Sequence, residues 1–257
     1  MAASRMRFIA AATLVAAVLS GVVACVPGEV PAPPAATPTA SPSAPASPTP
    51  TVAPFDKTRL SIDDPASIWV VSNKLRPLVP LNYVPSDLVT TQVPAVTNPQ
   101  LRTEAAGQLE SMFAAASAEG AGELQIQNAY RSYAVQLSLH DRLVANLGEA
   151  RADAQSARAG YSEHQTGLAL DIIARPGQCS IQACFGETPQ GRWLAANAYR
   201  FGFILRYPAD KTPVTGYIYE PWHFRYVGVE LATEMHDTSV TTLEEFFGLP
   251  PAPDYAP

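Results

Sequence analysis

Two of the chain's four histidines stand beside acids at spacings that suit metal-assisted hydrolysis. The first segment reads Tyr161-Ser162-Glu163-His164-Gln165-Thr166-Gly167-Leu168-Ala169-Leu170-Asp171, the second Tyr219-Glu220-Pro221-Trp222-His223-Phe224-Arg225. A catalytic zinc takes three ligands from His, Asp, Glu or Cys and keeps one position open for water. His164, Asp171 and His223 supply two imidazoles and a carboxylate. Asp171 interrupts an apolar run, where a carboxylate is costly to bury unless it is paired or binds a cation. Glu220 precedes His223 by three residues, with Pro221 stiffening the turn between them. It is placed to face the same metal without ligating it, as a general base toward a water whose pKa the metal lowers. The plain alternative is an ordinary surface or core histidine and a turn-capping aspartate, and spacing alone leaves it open. No H-E-x-x-H segment occurs, so the commonest zinc-peptidase helix is excluded.

The elements that must hold these side chains are read from local patterns. Asn98-Pro99 reads as an N-cap and first helical residue, followed by Leu101, Ala105, Leu109, Met112, Phe113 and Ala116 at helical spacing up to Gly120. Leu124 and Ile126 alternate with polar neighbours as a strand does. Ser132 is expected to cap a second helix with Leu137, His140, Leu143, Val144 and Leu147 on its apolar side, ended by Gly148. Leu168 to Ala174 is a short strand containing Asp171. Thr188-Pro189 opens a third helix through Trp193 and Leu194, closed by Gly202. Phe203 to Tyr207 and Tyr217 to Glu220 read as paired strands. Thr242-x-x-Glu245 is a capping box for a last short helix. The pattern predicts an α+β fold with a small antiparallel sheet and helices packed around it.

Ser162-x-His164-x-x-Gly167-x-Ala169-x-Asp171 followed by Glu220-x-x-His223 resembles the VanY-type D-alanyl-D-alanine carboxypeptidases. Asn73-Lys74, Leu75-Arg76-Pro77-Leu78, the run from Tyr83 to Leu88, Ala129-Tyr130-Arg131-Ser132-Tyr133 with Gln136, and Tyr199 to Pro208 fall in the family's order. The likeness covers roughly Ser67 to Met235. It implies a hedgehog/D,D-peptidase fold, Zn2+ held by His164, Asp171 and His223, and Glu220 as catalytic base. It also implies that Arg131 binds and polarises the substrate near the scissile amide or its terminal carboxylate, a task suited to a planar, always-charged fork. Ser132, Gln136 and Ser162 are candidates for substrate hydrogen bonds, and Trp222 for packing beside the metal. Ala129 departs from the family, where glycine is common. The implied substrate is a peptidoglycan stem peptide, cut as a D,D-carboxypeptidase. An L,D-carboxypeptidase, an L,D-endopeptidase and a noncatalytic wall-binding lipoprotein are the rivals, and Glu220 argues against the last.

The rest of the chain is organised around this region. The chain has 257 residues, a formal net charge of −6 and a sequence pI near 5.2. That balance excludes an electrostatic nucleic-acid binder, and with 47% hydrophobic residues a real core is available. Residues 1–24 join a short basic stretch to an apolar run, the pattern of an export signal. Val22-Val23-Ala24-Cys25 resembles a lipobox, so Cys25 is expected to carry a lipid; cleavage near Ala24 with a spare thiol is the alternative. Residues 25–54, rich in Pro, Ala, Ser and Thr, read as a semi-rigid spacer of ~3 Å per residue. Residues 55–257 read as one domain. The expectation is an exported, lipid-anchored monomer on the outer face of a bacterial membrane, reaching into the cell wall. Cys179 and Cys184 are then expected to form a disulfide rather than a second metal site.

Overall fold

The computed structural model describes residues 54–256. The signal segment 1–24, Cys25 and nearly all of the spacer 25–54 lie outside the described residues. Strands β1 (Leu88–Thr90) and β2 (Gln100–Arg102) form a small antiparallel ribbon, and α1 (Thr103–Ala118) follows directly. Next come β3 (Glu123–Asn128), α2 (Tyr133–Leu147), α3 (Glu149–Gln155), β4 (Ala169–Arg175) and α4 (Pro189–Asn197). The chain closes with β5 (Phe203–Leu205), α5 (Thr212–Thr215), β6 (His223–Tyr226), α6 (Val229–Asp237) and α7 (Leu243–Phe247). The main sheet is antiparallel with strand order β3-β4-β6-β5. The fold is therefore α+β, as the sequence predicts.

Side chains alternate across a strand. Leu168, Leu170, Ile172 and Ala174 around β4, with Phe224 and Tyr226 of β6, join the main core together with Leu109, Met112 and Phe113 of α1. The same alternation turns Asp171, His223 and Arg225 to the opposite face. A second core gathers Trp69, Val71 and Ile204 with Leu231 and Met235 of α6 and Leu243 and Phe246 of α7.

Several sequence expectations need correction. Asn98-Pro99 does not open α1. Pro99 accepts a hydrogen bond from Thr91 N (3.1 Å), and Gln100–Arg102 pair with β1, so the helix starts only at Thr103. A few apolar residues at the junction fit either period, and strand pairing decided the matter. Helix α2 keeps its Ser132 cap and Gly148 stop, but its expected apolar face is misplaced. Leu137 and Leu147 are exposed, His140 is buried as expected, and Gln136 is buried beside it. The inward polar groups find partners: His140 Nε2 lies 2.8 Å from Asp153 Oδ1 of α3, a helix the sequence reading did not foresee. Tyr217–Glu220 is not a strand. β5 pairs with β6 instead, because residues 212–215 wind into α5 and Pro221 has no N–H to continue a ladder. Helix α6 was also unforeseen. The Thr188 and Thr242 caps are in place, each accepting from the backbone N–H three residues on. Cys179 and Cys184 are disulfide-bonded, as expected.

Candidate metal centre and catalytic pocket

Sheet register brings the central residues together. Asp171 on β4 is paired directly with His223 on β6, and on its other side with Asn128 of β3 beyond a local register shift. Directly opposed residues place their Cβ atoms about 5 Å apart. His164 comes from a short 3-10 turn, Glu163–Thr166, just before β4. Gly167 ends that turn at φ 68°, and a Cβ there would come within 2.8 Å of Leu88 and 3.1 Å of Arg102. Glycine thus suits the left-handed backbone, and a larger residue would also push against side chains of the β1–β2 ribbon.

The three ligand candidates converge. His223 Nδ1 lies 3.2 Å and His164 Nε2 3.5 Å from Asp171 Oδ1, and the three ligand atoms lie within 4.8 Å of one another. All three side chains are buried. One far nitrogen is held by a hydrogen bond and the other faces a carboxylate. His164 Nδ1 lies 2.8 Å from the Ala129 carbonyl, which accepts its proton, and His223 Nε2 faces the Glu163 carboxylate at 3.6 Å. The carbonyl fixes the His164 tautomer that leaves Nε2 free to ligate, whereas His223 Nε2 and the nearer Glu163 oxygen are too far apart to hydrogen-bond. Asn128 Nδ2 donates to Asp171 Oδ2 at 2.9 Å, whereas Oδ1 is buried without a hydrogen-bond donor. An orphaned anionic oxygen flanked by two imidazole nitrogens fits a cation with nitrogen and oxygen ligands, and the two-histidine, one-carboxylate set suits zinc.

The electrostatics agree. Burial alone would raise the Asp171 carboxyl, but the two imidazoles outweigh it and hold it well below the usual range. Burial would likewise lower the His223 imidazole, but the carboxylates of Asp171 and Glu163 push it up to about 9. A proton therefore shares the place a cation would take. Burial and the Arg131 charge lower His164. Glu220 is also buried, and burial, opposed in part by His223 and Arg131, lifts its carboxyl to about 8. Its Oε2 is 3.9 Å from His223 Nδ1. A carboxylate that resists ionisation beside a would-be cation is a group poised to exchange a proton.

Arg131 completes the set. Its Nη2 is 4.0 Å from Asp171 Oδ2, and its backbone N–H donates to the His164 carbonyl at 3.2 Å. Gln136, one turn into α2, accepts from Arg131 Nη1 at 2.7 Å. Both amide hydrogens of Gln136 are already committed, to Ser156 Oγ and the Ala157 carbonyl. Gln136 therefore positions the arginine and has no donor left for substrate, unlike the role the sequence suggested. A cavity of about 180 Å³ is lined by Arg131, Ser162, His164, Asp171, Glu220, Trp222 and His223, so most of the expected site residues meet there. Ser132 does not. It caps α2, accepting from Val135 N, and lines a neighbouring depression. Larger depressions elsewhere among the described residues hold no comparable cluster of ligand-type side chains.

Sequence reasoning missed the support beneath the ligands. Glu163, fully buried, lies between Arg206 Nε (2.9 Å) and Arg225 Nη1 (2.8 Å). Arg206 in turn pairs with Glu244, and Arg225 donates to the Ile68 and Val70 carbonyls. Burial works against the Glu163 charge, but Arg206, Arg225 and His223 outweigh it and keep the carboxyl well below its ordinary range. The only local signal was the position of Glu163 beside His164; its partners come from the segment after β5 and from β6, far along the chain.

Comparison with known proteins agrees with this geometry. The family model of D-alanyl-D-alanine carboxypeptidases of the VanY type matches residues 98–229. YodJ of Bacillus subtilis (strain 168) is 44% identical over 192 residues, covering 73% of this chain and 69% of its own. The structure of the LdcB LD-carboxypeptidase is 43% identical with a TM-score of 0.66, covering 72% of this chain and 87% of that one. A mutant of the vancomycin-resistance D,D-pentapeptidase VanY, solved with Zn(II), is 34% identical with a TM-score of 0.59, covering 70% and 98%. The architecture is the hedgehog/D,D-peptidase type that the sequence motifs imply.

Proposed function

Because the chain belongs to the VanY family of D-alanyl-D-alanine carboxypeptidases, we propose that it is a zinc-dependent carboxypeptidase that removes C-terminal D-alanine from peptidoglycan stem peptides. The observation that carries the reading is the convergence of His164, Asp171, His223, Glu220 and Arg131 on one cavity. His164 Nε2, Asp171 Oδ1 and His223 Nδ1 would hold the metal. A bound Zn2+ supplies Lewis acidity at the scissile carbonyl and makes water acidic enough to attack near neutral pH. Glu220 accepts a proton from the attacking water at a carboxylate oxygen and returns it to the amine of the departing D-alanine. Burial raises its proton affinity, which favours the returning step, and a cation held beside it would favour the ionised form that accepts the proton. Arg131 pairs its guanidinium with the terminal carboxylate and so orients the last peptide bond over the ligand set. Gln136 holds the guanidinium in that orientation, and the buried Glu163 carboxylate places a negative charge behind the His223 ring.

Removal of D-alanine from a pentapeptide ending in D-alanyl-D-alanine is the first reading. Removal from a tetrapeptide, an L,D cleavage, is the second, favoured by the likeness to LdcB. Digestion of pure muropeptides with and without a chelator tests both. Loss of one D-alanine from the pentapeptide, abolished by chelator and restored by zinc, supports the first; loss from the tetrapeptide supports the second. Retention of both peptides by zinc-loaded protein would refute the proposal.

A further inference from the structure

Beyond the metal ligands, β4 leads into a loop that carries none of them. Cys179 and Cys184 close it with a disulfide, and Cys179 N-terminally packs against the main core while Phe185, just past Cys184, is fully buried. Both ends of the loop are therefore pinned. Between them, Gln182 N donates to the Cys179 carbonyl at 3.2 Å, closing a four-residue turn with Ile181 in its third position. Ile181 has φ 52° and Cys179 φ 53°. A turn with positive φ at that position normally takes Gly or Asn, and a β-branched residue there is strained. The turn itself does not call for isoleucine.

The side chain nevertheless has a place to go. Ile181 lines the catalytic cavity, although it is 38% exposed. With Leu139 and Leu143, one turn apart on α2, it is one of three branched aliphatic side chains in a wall otherwise rich in polar and aromatic groups. Backbone strain of this kind persists where the surroundings over-determine it, and it gathers at ligand clamps. The disulfide supplies the constraint, and the cavity supplies the reason.

We infer that Ile181, held at the cavity by the Cys179–Cys184 loop, is a specificity-determining residue that contacts the substrate residue on the amino side of the scissile bond. This rests on the proposed carboxypeptidase reading. The departing residue is D-alanine in both candidate substrates, so a wall that discriminates must touch the chain on its amino side, where the first residue already differs. That residue is a second D-alanine in the pentapeptide and a diamino acid with a long aliphatic stem in the tetrapeptide. An exposed branched aliphatic wall accommodates these two by different amounts of apolar contact.

The test compares Ile181→Gly, and separately the double variant Cys179→Ser/Cys184→Ser, with the wild type. A pentapeptide ending in lysyl-D-alanyl-D-alanine and a tetrapeptide ending in lysyl-D-alanine serve as substrates. Dissociation constants are measured calorimetrically in zinc-loaded Glu220→Gln backgrounds, and kcat/KM in the active ones. Glycine takes a positive φ without steric cost, so Ile181→Gly should keep its zinc and its melting temperature. Its preference between the two peptides should nonetheless shift by roughly 10-fold, the usual worth of one apolar pocket contact. The double serine variant should shift it in the same direction by freeing the loop. Wild-type preference in folded, zinc-loaded Ile181→Gly, with the wild type active, overturns the inference alone. A wild type that neither binds nor cleaves either peptide overturns the proposed function and this inference together.

Discussion

Glu220 shows how one residue's environment sets both chemistry and stability. An exposed glutamate titrates near ~4.3, whereas burial lifts this one to about 8. The folded state thus binds the proton more tightly than the unfolded chain. The cost of ionising it is absent below about pH 4 and grows until about pH 8. Metal-free Glu220→Gln should therefore melt higher than wild type at pH 8, with the gap closing toward pH 4. Equal melting temperatures at pH 8 would contradict this. The same variant should bind zinc and lose about 10²–10⁴-fold in kcat, the usual worth of a general base. Near-wild-type turnover by the metal-loaded variant would remove Glu220 from the mechanism. Arg131 acts through shape as much as charge. Arg131→Lys keeps the charge and loses the fork, so it should erase most of the wild type's preference for a free over an amidated C-terminal D-alanine. Equal cleavage of the two peptides by wild type would point to an endopeptidase instead.

The elements contribute register and constraint. One antiparallel register, Asp171 opposite His223, makes two ligands neighbours, and a short turn before β4 delivers the third. Beneath them the Glu163–Arg206–Arg225 cluster ties that turn to β6 and to the segment after β5. Removing one member of a buried ion cluster leaves the others uncompensated, at a cost of about 3–5 kcal/mol. Glu163→Gln should destabilise the protein by that order in urea titration. It should also weaken zinc binding roughly 10–100-fold, because His223 loses the negative charge behind its ring. Unchanged zinc affinity in a variant that still folds would show that the carboxylate is structural only.

At the scale of the whole molecule, the metal should act as a ligand of the folded state alone. Zinc at 100 times its dissociation constant adds about 2.7 kcal/mol, so chelation should lower the melting temperature and zinc should restore it. Acidification should weaken that gain, since protons compete with the cation for His164, Asp171 and His223. A melting temperature indifferent to chelator in fully loaded protein would argue against a metal at this site. Outside the described residues, we propose that Cys25 carries the lipid and that the proline-rich spacer holds the enzyme off a membrane. Cys25→Ala should abolish incorporation of labelled palmitate and detergent-phase partitioning. Label retained by that variant would place the modification elsewhere.

The ligand set, the base and the substrate arginine were legible in the sequence because local motifs specify them: each lies in a short segment whose residue types and spacing carry chemical meaning. Helix caps at Ser132, Thr188 and Thr242 were legible for the same reason, since a cap is a contact between residues three apart. What the sequence left undecided was non-local. Whether Gln100–Arg102 began a helix or a strand depended on β1, and the pairing of β5 depended on β6, both separated from their partners by intervening chain. The inward turn of Gln136 ran against hydropathy because Ser156 and Ala157 satisfied it. Glu163 looked like any charged residue until Arg206 and Arg225 closed around it. Buried polar groups are stable only when paired, and the pairing is made by tertiary structure, so no local pattern could announce it.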